Sequence, residues 1–364
     1  METPLAVVDT TPLIDHHCHG VLGGELDRAA FEARLTEAPV AAPGTSLFDT
    51  AVGFAVRRWC APVLDLPAHA SPDAYLERRA ELGADEVNRR LIGAAGVEVF
   101  LVDAGLPGEL VDPSAFGGRS LDVLRLERLA ELVVGEGTAA GFPDRVRSAL
   151  ERSRSVAAKS IAAYRVGLDL DPARPSDAEV ARAASRWSAS GSGRCADPVL
   201  SRFLVWEALE RGLPVQFHVG YGDSDLDLHR ADPALLTPLL RAVQPLGVPV
   251  LLLHNYPFHR TAGYLAQVFP HVHADLGLAT HGVGDRAAAV LAEALELVPF
   301  GKFLYSSDAC ALAELHHLGA LLFRRGLSEV LRGKLTSGAL SDEDALRITR
   351  MMSGGNARRV YRID

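Results

Sequence analysis

The sequence predicts an α/β fold, a (β/α)8 barrel, on three observations. Short apolar runs alternate with helical stretches, the pattern of a parallel sheet covered by helices. Eight such runs can be counted. Several end on a histidine or an acid, and in a barrel the C-terminal strand ends converge on one face.

The second half carries the alternation most clearly. A helix over 201–211 leads through Gly212 and Pro214 to the strand VQFHVG. A helix over 232–245 leads to VLLLHNY, one near 261–269 to HVHADLGL, and one over 285–297 to KFLYSSD. The first half gives VVDTTPLIDHHCH as strand one and VEVFLVDAG as strand two, ending near Gly105. Strand three falls near DVLRLE, ending at Glu127, and strand four near SVAAKSI, ending around Lys159. Residues 21–95 carry helical patterns at 24–37, 46–60 and 72–92, the last with Ser71 as N-cap and Pro72 at the first helical position. No linker sets this stretch apart. It reads as a helical insertion over the barrel mouth within a single domain spanning 1–364. The stretch 171–196 reads as a helix plus a loop (SASGSG), and SDEDALRITRMMSGGNARRVY as a helix capped by Ser341 and closed by Gly354 and Gly355.

Composition narrows the function classes. Hydrophobic residues make up 48% and charged residues 23%, enough for a sizeable core. A net charge of −9 gives no electrostatic reason to expect nucleic acid or an anionic membrane as partner, so a small-molecule substrate is expected. Cys18, Cys60, Cys195 and Cys310 form no CxxC pair, which fits reduced thiols in a cytoplasm. The N-terminus shows no signal-peptide pattern, and no apolar run approaches the ~20 residues of a membrane helix. The exposed insertion offers a surface through which a homo-oligomer would form.

The chemistry begins at Asp15-His16-His17-Cys18-His19. Alternate residues of a strand share a face, so His17 and His19 should point together, and Asp15 with them. Two imidazoles on one strand end form a metal clip; a chance cluster of surface histidines is the bland alternative. His218, His254 and Asp308 each close an apolar run, and such convergence is hard to reach by accident. The 36 residues from His218 to His254 match one βα unit of roughly 30 or more.

This pattern, DxHxH on strand one, His on strands five and six and Asp on strand eight, resembles the ligand set of the amidohydrolase superfamily. KSIAAYRVGLD (Lys159–Asp169), LYSSDA (Leu304–Ala309) and GGNARRVY (Gly354–Tyr361) are similar to the amidohydrolase-related, type 2 subgroup, closest to its nodulin/FluG-like branch. The resemblance implies a divalent metal, zinc first, held by His17, His19, His218, His254 and Asp308. Lys159 corresponds to a strand-four lysine that in many relatives is carboxylated and bridges two metals. An ammonium cannot ligate a cation, whereas a carbamate can. Lys159 therefore decides between one ion and two, and an ammonium bound to an acid is the alternative.

The implied activity is hydrolysis of a C–N bond, an amide and by analogy a γ-glutamyl-type one, with Asp308 moving the proton and His254 ligating metal or holding the carbonyl oxygen. A non-oxidative decarboxylase of the same subgroup, a uronate isomerase-like enzyme and a non-catalytic metal-binding barrel are the rivals. Further candidates are weaker. Glu127 and Arg125 would share a strand-three face, Glu127 positioning substrate or pairing with Lys159, a buried ion pair being the plain alternative. Tyr164 and Arg165 follow strand four, where the guanidinium could clamp a carboxylate. Tyr256 and His259 would line the pocket, and Asp275 would orient a ligand imidazole. Asp223, Asp225 and Asp227 read as a solvated loop. His271 and His273 would face solvent or the barrel wall, with His316 and His317 outside the metal site.

Overall fold

The structure, a computed structural model, describes residues 4–106 and 108–364; Met1–Thr3, part of the N-terminal stretch read for a signal peptide, lie outside the described residues. Seven parallel strands pair in sequence order: β1 (Leu13–Cys18), β2 (Val97–Asp103), β3 (Arg119–Arg125), β4 (Ala157–Ser160), β5 (Val215–Val219), β6 (Val250–His254) and β7 (Val272–Ala274). The sheet curls into an α/β half-barrel. Every residue of β1, β4, β5, β6 and β7 is buried, as both-face coverage of a parallel sheet demands.

Alternation sorts the side chains into two layers. Ile14, Val99, Leu101, Val123, Ala157, Leu251 and Leu253 form one cluster inside the curl, with Val360 and Tyr361 of the helix Asn356–Tyr361 packed against it. Leu13, Phe100, Ala158, Phe217 and Leu252 belong to the larger cluster beneath the outer helices.

Several expected boundaries move. Residues 7–10 are the end of a helix (Pro4–Thr10), and β1 starts only at Leu13. The eighth apolar run forms isolated bonds in place of a strand. Phe303 bridges Ala274, Leu304 N–H donates to Ala274 O (3.1 Å), and Tyr305 O accepts from His16 N–H (3.1 Å). It thus touches both β7 and β1. Asp308, at φ +51, then turns it out of extended geometry. β3 stops at Arg125, and Glu127 lies in the first turn of the helix Leu126–Val133, so the two side chains do not alternate on one strand. The 72–92 pattern is two helices, Pro72–Leu82 and Ala84–Ala95, broken at Gly83, with Ser71 capping as expected. Gly354 and Gly355 do not end the C-terminal helix. The chain winds on through Met351–Gly355 into Asn356–Tyr361, and a Cβ on Gly354 would sit 3.1 Å from Ile14 Cγ1.

The helices of 21–95 dock by a buried ion pair: Arg79 meets Glu314 of the long helix Ala313–Thr336 at 2.7 Å, and Tyr75 donates to the same carboxylate. All four cysteines are free. Among the described residues, no helix is long and apolar enough to cross a membrane.

Candidate metal centre

Gln216, on β5, explains the orientation of His17. Its amide nitrogen donates to His16 O and to the Tyr361 hydroxyl, both at 2.8 Å. Its oxygen must therefore accept, and it accepts from His17 Nδ1 at 2.8 Å. The Nε2 of His17 is left to accept. His19 is fixed the same way, Nδ1 donating to Asp103 O at 2.7 Å. Both Nε2 atoms face Asp308 Oδ1, at 3.2 Å from His17 and 3.5 Å from His19. One ligand atom from each of these three residues lies within 4.8 Å of the others. His254 Nδ1 lies 3.5 Å from Asp308 Oδ2. Lys159 Nζ sits 3.4 Å from both His17 Nε2 and His254 Nε2.

The electrostatics suit a cation. Burial, with Lys159 close by, lowers His17 to about 4, and burial holds His254 and His218 well below the usual histidine range. Burial works against ionisation of Asp308, yet His254, His17 and His19 outweigh it and hold the carboxyl well below its ordinary value. Neutral forms of His17, His218 and His254 beside an ionised Asp308 are favoured, as metal binding requires. Two buried imidazole nitrogens and a carboxylate oxygen that converge within 4.8 Å are donors of the kind a divalent metal takes, so the set fits one.

The backbone is strained here. His254, Asn255, Asp308 and Ala311 all hold positive φ, between 51° and 68°, costly for residues other than glycine and held by local bonds. Asp275 Oδ1 accepts from His254 N–H at 2.5 Å, and Asn255 donates to Leu252 O and Asp275 O. Gly277 admits this close approach, since a Cβ there would lie 2.6 Å from Ser306 Oγ and 3.0 Å from His254 Nδ1.

The cluster opens on a cavity of about 810 Å³ whose lining includes His19, Lys159, His218 and Asp308, together with Glu127, Tyr164 and Arg165. The structure brings His17, His19, Asp308, His254 and Lys159 together. His218 packs in a tilted arrangement against His254 (ring centroids 4.5 Å apart) and Tyr164 (4.6 Å), but its Nε2 meets Tyr221 O at 3.1 Å and not Asp308.

Other expectations need correcting. Asp15 does not share the face of His17. The β1–β2 register breaks between Asp15 and Cys18, and Asp15 instead takes both bonds of Ser307 and groups with Cys18 and His316. Glu127 does not pair with Lys159; its Oε1 accepts from Ser160 Oγ (2.8 Å) and Ile161 N–H (3.0 Å). Arg125 pairs with Asp103 at 2.7 Å. Tyr256 does not line the cavity among the described residues, because the chain turns at His254 and Asn255 and its ring stacks on His259. Asp275 steadies the His254 backbone and lies 2.8 Å from His16 Nε2, with no bond to a ligand ring. His271 and His273 are buried.

Sequence reasoning missed Gln216, Asp103, Glu37 and His281. Gln216 was readable as the polar residue two before His218 on one strand face, and Asp103 as the acid ending strand two. Glu37 and His281 carry no local signal. Glu37 arrives from the 21–95 stretch, and burial near Asp308 and Asp223 raises its carboxyl to about 7.

A family model described as amidohydrolase matches residues 126–363. The chain belongs to the amidohydrolase family. This amidohydrolase is 27% identical to protein fluG of Emericella nidulans over 98% of its own length and 46% of that relative's, so it spans about half of it. Its structure is similar to that of a protein named as a metal-dependent hydrolase from Lactobacillus casei ATCC 334 (TM-score 0.85, 28% identity, covering 100% of this chain and 98% of that one). It shares its fold with a uronate isomerase from Bacillus halodurans C-125 (TM-score 0.67, 15% identity, 99% and 96% covered).

Proposed function

We propose that this amidohydrolase is a metal-dependent hydrolase that cleaves a C–N bond, an amide, in a small molecule. One observation supports the reading: the Nε2 atoms of His17 and His19, each ring held through its Nδ1, converge with Asp308 Oδ1 within metal-ligand reach beside the cavity. His17, His19 and Asp308 would hold the ion, with His254 beside them and His218, which here meets Tyr221 O, as the outermost member of the set. These N and O donors suit Zn2+. A bound divalent ion supplies Lewis acidity, polarising the scissile carbonyl and acidifying water.

The remaining work falls to side chains. Asp308 accepts the proton of the attacking water and passes it to the leaving amine as the C–N bond breaks. His254, against Asp308 Oδ2, aims that carboxylate. The segment 303–309 takes the eighth position of a (β/α)8 barrel, and the 21–95 helices roof a single catalytic unit working in the cytoplasm. Asp308→Asn is expected to lower kcat by about a thousandfold or more while metal remains bound. Unchanged turnover of an amide library with that variant would remove Asp308 as proton carrier.

Lys159 sets the ion count. Burial lowers its amine to about 8, against the pull of Asp308 and Asp103, and its nearest polar neighbours are imidazole nitrogens. A neutral amine adds to CO2, forming an N–C bond and giving up a proton, and the carbamate presents two anionic oxygens. Metal analysis in bicarbonate buffer should find two ions per chain, and one after Lys159→Met. One ion in both proteins rules the carbamate out.

A further inference from the structure

Beyond the metal cluster, the cavity wall holds three buried polar atoms that lack a hydrogen-bond partner among the described residues: Glu127 Oε2, Arg165 Nε and His281 Nε2. Each belongs to a residue lining the cavity, and a buried polar atom left unmatched costs free energy unless a ligand answers it. Glu127 is 1% exposed and is held in place through its other oxygen by Ser160 Oγ and Ile161 N–H. Arg165 follows on the short helix Ala162–Arg165 that starts beside Ile161, and no described acid pairs with it. The neighbouring cations are mostly committed, Arg125 to Asp103 and Arg194 to Asp225, while Arg34 lies exposed at the rim. His281 lies near Asp308.

A carboxylate oxygen asks for a donor, best a cation. An unpaired guanidinium asks for an anion. We propose that the cavity recognises a zwitterion, the ammonium and carboxylate of a free α-amino acid group, with Glu127 taking the ammonium and Arg165 the carboxylate. The substrate class is then an amide whose acyl part ends in that group. Its scissile carbonyl lies toward Asp308, and His281 Nε2 is free to bond near it. The inference rests on the hydrolase reading for the reaction: water forms the new C–O bond, the C–N bond breaks, and the amine leaves with the proton. The products are an amino dicarboxylic acid and an amine. Recognition itself needs no turnover.

Binding can therefore be measured on the metal-loaded protein with product-like probes. Isothermal titration would compare L-aspartate, L-glutamate and L-2-aminoadipate with their deaminated counterparts (succinate, glutarate, adipate) and with their α-decarboxylated ones (β-alanine, 4-aminobutyrate, 5-aminopentanoate). The best-fitting amino acid should bind at least about tenfold more tightly than either counterpart. Arg165→Met should erase the preference over the decarboxylated probe and keep that over the deaminated one, and Glu127→Gln should do the reverse.

The proposal falls if no amino acid binds, if the wild type shows no preference, or if both variants weaken every probe equally. It also falls if Glu37→Gln, and not Glu127→Gln, removes the ammonium preference. Should Glu127→Gln fail to fold, the wild-type panel decides alone. Amide turnover is scored separately: selective binding without hydrolysis sinks only the hydrolase reading, and hydrolysis of amides lacking the zwitterion without selective binding sinks only this one.

Discussion

Asp15 is fully buried and has both oxygens engaged by Ser307, the N–H at 2.9 Å and the hydroxyl at 2.5 Å. Burial nonetheless pushes its carboxyl up to about 7. The unfolded value is 3.8, so between roughly pH 4 and pH 7 the folded chain binds the extra proton. Native stability from this group therefore falls as pH rises through that window and is level above it. Asparagine mimics the neutral acid and carries no such slope. In metal-free protein, the stability of Asp15→Asn relative to wild type should climb from pH 4 to 7 and then stay flat in urea titrations. A constant difference across that range would show that Asp15 titrates normally. The same residue marks a limit of sequence reading: strict alternation puts Asp15 beside His17, and only the register break in β1 separates them. His254 shows the converse. Leu251 and Leu253 face the interior of the curl, so alternation alone would send His254 outward, and its positive φ turns it in. The strand-end rule found the residue without supplying the conformation.

At the scale of elements, apolar runs marked all seven strands, because a buried parallel strand leaves few places for polar residues. What stayed hidden was tertiary in origin. Glu127 belongs to a helix because β3 ends two residues earlier. Glu37 reaches the cavity only because the 21–95 helices are anchored far from it in sequence. That anchor is Arg79 against Glu314, with side chains 8% and 0% exposed. Replacing Arg79 with Met leaves a carboxylate buried with only Tyr75 to answer it, a loss of about 3–5 kcal/mol. Arg79→Met should melt at a clearly lower temperature, and Arg79→Met/Glu314→Leu should recover much of the difference. If the single variant melts with the wild type, the ion pair does not hold these helices.

For the whole molecule, metal and fold are linked. An ion that binds the folded chain and not the unfolded one adds stability as RT ln(1 + [M]/Kd), about 4 kcal/mol at a thousandfold excess over Kd. Chelation should lower the melting temperature, and adding zinc back should restore it. A melting temperature indifferent to chelator would mean that the cluster binds nothing firmly. The parallel α/β sheet was legible in its apolar runs, and His17, His19, Lys159, His254 and Asp308, which the structure brings together, stand at or near the ends of those runs. Orientation was not, since it depends on partners such as Gln216 and Tyr361 that lie hundreds of positions from His17.

That distance has a consequence in time. His17 is made early in synthesis, Asp308 late, and the Tyr361 hydroxyl that fixes Gln216 later still. A growing chain carries its first imidazoles exposed for most of translation, with nothing to aim them. On the proposed metal-binding reading, ion capture is thus a closing event of biogenesis, and a nascent chain halted before residue 308 should take up no metal.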